Sequence, residues 1–306
     1  MDINKLKTEL LQNIILTLEC PIEHIDMFFA AEIEFYICDS KNTILDDLDI
    51  NSPEIIQLEK YLKQAYVSDL AIDNIEKEDG FNQFEIQTRP TKNPSLLVDS
   101  IIQIRQLLLG YDNLKITFNG KPNINDAGSA IHFHISLYAL DFNLFAKHKT
   151  ENGENYLMIF YWAIAGMLDF MAESVYIMCD SDTCYERFLY PRKYQKHIHH
   201  PTNCSWGFNN RTCAIRVLSS NSPGCVNIDN SRIEYRVASA SSNPFLVLYA
   251  IIYAIKYGLD NQLDCPEPVF GNAFDYEYDS VQELPKSIKE ARALFNKGRL
   301  KFLLKE

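Results

Sequence analysis

Apolar and polar positions change rhythm along this chain in a way that separates helix from strand. Ile3, Leu6, Leu10, Leu11, Ile14, Ile15 and Leu18 recur at helical spacing and predict an amphipathic helix that ends near Pro21. Short segments rich in β-branched and aromatic residues follow, at Ala31 to Ile37, Phe84 to Thr88, Ile131 to Leu137, Thr212 to Leu218 and Arg232 to Val237. Their frequent alternation predicts strands. Helices are expected at Ser95 to Leu109, Tyr156 to Met178, Asn243 to Tyr257 and Lys286 to Leu304. The third opens on Asn243-Pro244, a cap followed by a first-turn proline. Ser219 to Ser231, with Pro223-Gly224 in its middle, reads as a surface loop. No internal repeat, low-complexity tract or long Gly/Ser linker breaks the pattern. One domain over 1–306 is therefore expected, with 1–27 as a helix that precedes its main body.

Residues two apart in a strand share a face, and the strand candidates sort their side chains accordingly. Glu32, Glu34 and Tyr36 fall opposite Ile33, Phe35 and Ile37; His132 and His134 fall opposite Ile131, Phe133 and Ile135. Arg232, Glu234 and Arg236 likewise oppose Ile233, Tyr235 and Val237, and Gln83 and Glu85 alternate with Phe84 and Ile86. In a single sheet, the apolar side would pack on helices while the other side gathered carboxylates, imidazoles and guanidiniums. Carboxylates at that density repel one another, and partial burial makes their ionisation costly unless cations compensate. A bound divalent metal resolves the conflict, and carboxylate-dominated ligands suit Mg²⁺ or Mn²⁺. A single Glu-x-Glu or His-x-His is most often the solvated face of a strand; the joint occurrence, with arginines added, carries the argument.

Composition narrows the classes. With 306 residues, 47% hydrophobic and 23% charged, the chain is ordinary globular material rather than disordered. A formal net charge of −12 repels phosphate backbones and anionic lipid, which excludes nucleic acid as an expected partner. Asp2, Glu9 and Glu19 break any signal-peptide pattern. The apolar run from Tyr156 to Leu168 is shorter than the roughly 20 residues a membrane span needs, so it reads as a buried helix. Eight cysteines without a CxxC pair offer no zinc ribbon or thioredoxin-type motif, and reduced thiols in a cytoplasmic protein are expected.

Several segments resemble the glutamine synthetase family. Ala31-Glu-Ile-Glu-Phe35 resembles its first metal-binding strand, and Glu78-Asp-Gly-Phe-Asn-Gln-Phe-Glu-Ile86 its second acidic segment. Gly128-Ser-Ala-Ile-His-Phe-His-Ile-Ser-Leu137 resembles the motif GSGxHxHxSL. Pro201 to Arg216, Arg232-Ile-Glu-Tyr-Arg236 and Asn243-Pro244 resemble the arginine-rich ATP and substrate segments. Thr117-Phe118, Lys121-Pro122 and Leu284-Pro-Lys-Ser-Ile288 add support. The order of segments matches too, over roughly 28–295, and Trp206-Gly207 is closer to the branch acting on polyamines and other amines.

The resemblance implies an α+β catalytic domain, mainly an antiparallel curved sheet with helices on its apolar face. It implies an ATP-dependent carboxylate–amine ligase that works through an acyl phosphate, with a pair of Mg²⁺ or Mn²⁺ ions. One ion would be held by Glu34, Glu78 and Glu85, the other by Glu32, His132 and Glu234. His134, Arg216 and Arg232 would lie against the ATP phosphates. Arg187 and Arg236 would grip the carboxylate of an acidic amino acid, with glutamate expected, and Gly128 would line its pocket. Arg211 would face the transferred phosphoryl group. Cationic groups of this kind offset the charge brought together when a phosphoryl group meets a carboxylate.

The chain also departs from the family. The β-grasp domain that precedes the family's first metal strand has no counterpart in 1–27. An alternative is therefore a non-catalytic relative that binds nucleotide and metal or assembles with and regulates a partner; the expected partner states are a homo-oligomer or a separate β-grasp chain, the latter of which would restore the missing part. His199 stands in the position of the family's flap glutamate, within a lengthened loop from Tyr190 to His200. Either His199 or His200 takes the proton of a different amine or that step is lost, and otherwise His197-Ile-His-His200 is a solvated loop tip. Ala127 replaces an asparagine that often touches the amino acid.

Overall fold

A computed structural model of the chain describes residues 25–38, 47–139, 142–145, 157–189, 199–218, 231–278 and 280–303. The expected N-terminal helix, 219–230 of the expected surface loop and 190–198 of the lengthened loop lie outside them. Alternation builds the strands. In β1, Ile25–Cys38, the side chains of Met27, Phe29, Ala31, Ile33, Phe35 and Ile37 are buried at every second position. With β2 (Ile72–Lys77), β3 (Gln83–Thr88), β5 (Ile131–Ala139), β9 (Arg232–Tyr235), β8 (Ile215–Leu218) and β7 (Trp206–Phe208) it forms one sheet in the order β2-β3-β1-β5-β9-β8-β7. β4 (Lys115–Thr117) pairs with β1, and β6 (Phe142–Asn143) pairs with β5. Among the described strands only β7 and β8 run parallel. The fold is α+β with a mostly antiparallel sheet, as the sequence led one to expect.

Helices cover the apolar face. Those described are α1 (Pro53–Ala65), α2 (Pro94–Leu109), α3 (Leu157–Met178), α4 (Asp182–Tyr185), α5 (Pro244–Asp260), α6 (Ile288–Lys297) and α7 (Leu300–Leu303). One hydrophobic cluster joins Ile33, Phe35, Phe133 and Ile233 of the sheet to Ile101 of α2, Phe160 and Ile164 of α3, and Leu248 and Ile255 of α5. α2 and α5 each start on an asparagine, Asn93 and Asn243, whose side chain accepts from two first-turn N–H groups ahead of a proline. α3 is apolar enough over Met158–Met178 to pass a membrane-span test by length and composition, yet 78% of that window is buried, which makes it a core helix here. α3 and α5 come together where both carry glycine. A Cβ on Gly166 would sit 2.1 Å from the Ala254 carbonyl oxygen, and one on Gly258 would sit 2.1 Å from that of Trp162.

Two expectations change. The single helix foreseen from Lys286 to Leu304 is two, α6 and α7, because Gly298 at the end of α6 has an extended backbone that cannot continue a helix. The strand foreseen over Thr212 to Leu218 starts only at Ile215, since the residues before it turn, with Thr212 donating its hydroxyl to Asn210 Oδ1 at 2.7 Å.

Candidate active site

Strand register lays acidic, imidazole and guanidinium groups in a row across the polar face. Reading across the sheet, Glu76 of β2 lies beside Glu85 of β3, and Glu85 beside Glu34 of β1. Glu32 of β1 then faces His132 of β5, His134 faces Glu234 of β9, and Glu234 faces Arg216 of β8. Three carboxylates thus occupy directly opposed positions on adjacent strands, an arrangement that destabilises a sheet on its own. The sequence folds this way because the opposite faces of the same strands are apolar and must turn inward.

A cavity of about 160 Å³ opens on this row. Glu32, Glu34, Glu78, Glu85, His132 and Glu234 all line it, as do Gly128, Arg187, His199, Arg211, Arg216 and Arg236. His132 sits among three acids, with Nδ1 3.4 Å from Glu32 Oε2 and 3.3 Å from Glu234 Oε1, and Nε2 3.4 Å from Glu34 Oε1. His134 reaches the same carboxylate from the far side, its Nε2 2.9 Å from Glu32 Oε1. Glu32, His134 and Glu234 place one ligand atom each within 4.8 Å of one another, tightly enough for a cation. That group contains His134 where the expected set contains His132, so both imidazoles are within reach of the acids.

Charge is unevenly balanced along the cavity. At one end Glu234, fully buried, accepts from Arg236 Nη1 and, at 3.1 Å, from Arg216 Nη1. Burial alone would raise its carboxyl, but Arg236 and His132 outweigh it and hold Glu234 down at about 2. Burial likewise opposes the ionisation of Glu32, and His134 and His132 overcome it, so Glu32 lies well below the usual carboxylate range. At the other end neutral groups do the holding. Glu34 Oε2 accepts from Gln83 Nε2 at 2.9 Å and the Ala130 N–H at 2.7 Å, and Glu85 Oε1 accepts from Gln87 Nε2 at 2.6 Å. Burial pushes Glu34 up to about 7 against the pull of His132, with Glu78 reinforcing the rise. Burial, then the charges of Glu32 and Glu78, push Glu85 up to about 10. Glu34 has only His132 and Arg187 to offset it, and Glu78 and Glu85 make no ion pair among the described residues, so this end holds more acid than positive charge, which an oxygen-preferring divalent cation fits.

The remaining expected residues frame this centre. Arg187 is buried in the 3₁₀ turn Glu186–Phe188, where Nη1 donates to the Val237 carbonyl at 3.2 Å and Nη2 to that of Arg236 at 3.4 Å. Gly128 packs on it so closely that a Cβ there would meet Arg187 Cγ at 2.8 Å. Arg236 Nη2 donates to the His199 carbonyl at 3.1 Å, tying the loop to the sheet. Arg211 is exposed at the cavity's edge. Arg232 and His134 instead line a neighbouring cavity of about 440 Å³, where Arg232 Nε donates to His134 Nδ1 at 3.1 Å. The two cavities meet at Glu32 and Gln87.

Sequence reasoning missed the residues that hold the site in shape. Gln83 bridges Glu34 and the Gly128 carbonyl, the latter at 2.9 Å, while Tyr36 donates to the Ala127 carbonyl at 2.8 Å. Their place on the polar face was legible from alternation; their partners, about 45 to 90 residues away, were not. Asp79, next to Glu78, pairs with His199 at 2.7 Å, and no spacing rule connects the two.

A mostly antiparallel sheet with helices on one face and an acidic, arginine-flanked cavity on the other defines a protein suited to gathering anionic groups around divalent cations. The model of the family described as glutamine synthetase, catalytic domain, matches residues 19–304, and the chain belongs to that family. It is 31% identical over 278 residues to the gamma-glutamylputrescine synthetase PuuA of Escherichia coli K12, covering 86% of this chain and 50% of the relative. The glutamate–isopropylamine ligase of a Pseudomonas species is 27% identical, over 80% of this chain and 50% of the relative. The chain thus spans about half the length of these curated relatives. A solved structure described as a GmaS/ADP complex shares the fold, with a TM-score of 0.76 at 18% identity over 96% of this chain and 68% of that one.

Proposed function

We propose that the protein is an ATP-dependent ligase that joins the side-chain carboxylate of an acidic amino acid, with glutamate the favoured one, to an amine. The observation that carries this reading is the charge asymmetry of the cavity, acid in excess of positive charge at Glu34, Glu78 and Glu85, and Arg216 and Arg236 paired with Glu234 at the opposite end. Glu34, Glu78 and Glu85 would hold one divalent ion, and Glu32 and Glu234, with His132 or His134, a second. Mg²⁺ or Mn²⁺ bound there would supply the positive charge that lets two anions approach. The neighbouring cavity suits a nucleotide: Arg232 and His134 stand at its inner end, and Phe28 and Tyr138, with ring centroids 5.0 Å apart, form an apolar wall.

In this scheme ATP lies with its phosphates toward Glu32, where the two cavities meet. Arg216 and Arg232 offset the phosphate charge, and Arg211, exposed and unencumbered by an ion pair among the described residues, stands near the phosphoryl group as it moves to the carboxylate. Arg187 and Arg236, with the Gly128 backbone, position the amino acid. The product of the first step is an acyl phosphate, whose carbonyl an amine attacks to release phosphate. The names of the curated relatives, a putrescine-linked synthetase and an isopropylamine ligase, support amines over ammonia as the second substrate.

The test is ADP release from ATP and Mg²⁺ with glutamate and a panel of amines, comparing wild type with Glu234→Ala. Turnover that needs metal, glutamate and amine together, and that the substitution abolishes, is the expected result. Absence of metal-dependent turnover under every pairing would overturn the ligase reading.

A further inference from the structure

Two cysteines meet just beyond the end of α3. Cys179 follows that helix and Cys184 lies in α4, and the two are buried, unbridged and in hydrogen-bond contact with each other. Cys184 Sγ sits in a polar cradle, 3.1 Å from the hydroxyls of Ser181 and Ser239, 3.3 Å from Asp180 Oδ1 and 3.8 Å from Ser241 Oγ. Ser241 donates its own hydroxyl proton to Asp180 Oδ1 at 2.6 Å. A neutral thiol has one proton and can serve only one of these neighbours, whereas an ionised sulfur accepts from Cys179, Ser181 and Ser239 together. The cradle suits a thiolate.

Cys184 differs in this from other thiols of the chain. The hydrogen bond from Cys179 outweighs the cost of burial and, with Ser181, Ser239 and the charge of Arg187, holds Cys184 down at about 5. In Cys204, Cys213 and Cys265 burial pushes the thiol up to about 12. Burial, reinforced by the bond to Cys184, pushes Cys179 well above the usual thiol range. One sulfur is thus nucleophilic while its neighbour keeps a proton, as an attacking and a resolving cysteine require. The cover over Cys184 is thin. Asp180 and Ser181 are exposed and Ser241 is partly so, so on that side surface polar groups, rather than core, separate the sulfur from solvent.

We propose that Cys184 is an oxidation site for hydrogen peroxide and that Cys179 resolves it as a disulfide, which weakens the hold of Arg187 on the amino acid. The effect on Arg187 rests on the ligase reading. The Cys184 sulfur attacks one peroxide oxygen and the O–O bond breaks; the other oxygen leaves with the electron pair and takes the Cys184 proton as water. The Cys179 sulfur then attacks the sulfenic sulfur, the S–O bond breaks, and hydroxide departs with the Cys179 proton as a second water. The two sulfurs are oxidised and the peroxide is reduced. An S–S bond of about 2.05 Å is far shorter than any contact of unbonded sulfurs, so the pair must be drawn together. Cys184 has little slack, since a Cβ on Gly120 would lie 3.0 Å from its Cα and 3.1 Å from its Sγ. Its movement passes along α4 into the adjoining 3₁₀ turn, where Arg187 is held by two carbonyls at 3.2 and 3.4 Å.

The experiment exposes the folded chain to hydrogen peroxide without denaturant and maps its cysteines by mass spectrometry. A disulfide between Cys179 and Cys184, formed before any change at Cys204, Cys213 or Cys265, is the expected result. In Cys179→Ser, dimedone, which captures sulfenic acids, should label Cys184; in Cys184→Ser neither disulfide nor label should form at Cys179. Oxidised wild type should show a KM for glutamate raised about tenfold, with kcat within about threefold of the reduced protein, and dithiothreitol should reverse the change. A Cys179–Cys184 pair that stays reduced overturns the oxidation site, and mapping of wild type decides this even where a variant fails to fold. A disulfide that leaves KM unchanged overturns the link to Arg187 while the ligase reading stands. Absence of turnover by reduced wild type overturns the ligase reading and the effect on Arg187 with it, whereas the mapping still decides the oxidation site.

Discussion

Glu234 is the residue whose charge the structure uses most heavily, and replacing it by glutamine isolates that charge at nearly constant shape. Its side chain is 1% exposed, and it is the anionic partner of Arg216 and Arg236, whose Nε atoms are buried and otherwise unpartnered. Its carboxyl is lowered from 4.5 to about 2, which at about 1.4 kcal/mol per pH unit is worth about 3 kcal/mol of folding free energy. An independent route gives the same size, since removing one partner of a buried ion pair costs about 3–5 kcal/mol. Because the folded-state value is depressed, the contribution is fully present above about pH 4.5 and is lost as pH falls through about 2. Urea unfolding of Glu234→Gln against wild type at pH 7, in chelator, should therefore show a loss of about 3 kcal/mol. A loss below about 1 kcal/mol would refute the view that this carboxylate neutralises the two arginines.

The acidic end behaves in the opposite sense. With Glu34 raised to about 7 and Glu85 to about 10, the metal-free protein should lose stability as pH climbs from about 4.5 through those values, and Mg²⁺ should flatten the slope. At pH 8, titration calorimetry in buffers of different ionisation enthalpy should record about one proton released as the metal binds; no release would contradict a protonated Glu85. Gly128→Ala pushes on Arg187 from 2.8 Å and should raise KM for the amino acid by about tenfold while leaving unfolding little changed. Gly258→Ala drives a methyl group to 2.1 Å from the Trp162 carbonyl oxygen and should cost about 3 kcal/mol by denaturant unfolding, whereas a neutral effect would mean α3 and α5 can separate freely.

Strands with a sharp apolar alternation announced themselves in the sequence, and so did the polar face they share. Glu32, Glu34, His132 and Glu234 were placed on that face by period alone, because each alternates with an apolar neighbour that has to be buried. β2 was missed for the complementary reason. Ile72–Lys77 is largely exposed and its pairing shifts register between Ile72 and Asn74, so its alternation is blurred. β7 was missed because it is three residues long and its parallel partner lies a short turn away. α1 carried a readable signal, Ile55, Leu58 and Leu62 on one stripe after Pro53, which went unread. What the sequence could not supply was cross-strand partnership: that His134 meets Glu32, that Gln83 carries Glu34, and that Asp79 steadies His199 all follow from register and loop path rather than from spacing.

The central claim is that Glu32, Glu34, Glu78, Glu85, Glu234 and the two imidazoles surround divalent cations. Crystals grown with Mn²⁺ and ADP, measured for anomalous scattering at the manganese edge, test it most directly. Two peaks inside the cavity, one against Glu34, Glu78 and Glu85 and the other against Glu32 and Glu234, are the expected result. Manganese bound only elsewhere on the protein, with these carboxylates uncoordinated, would contradict it.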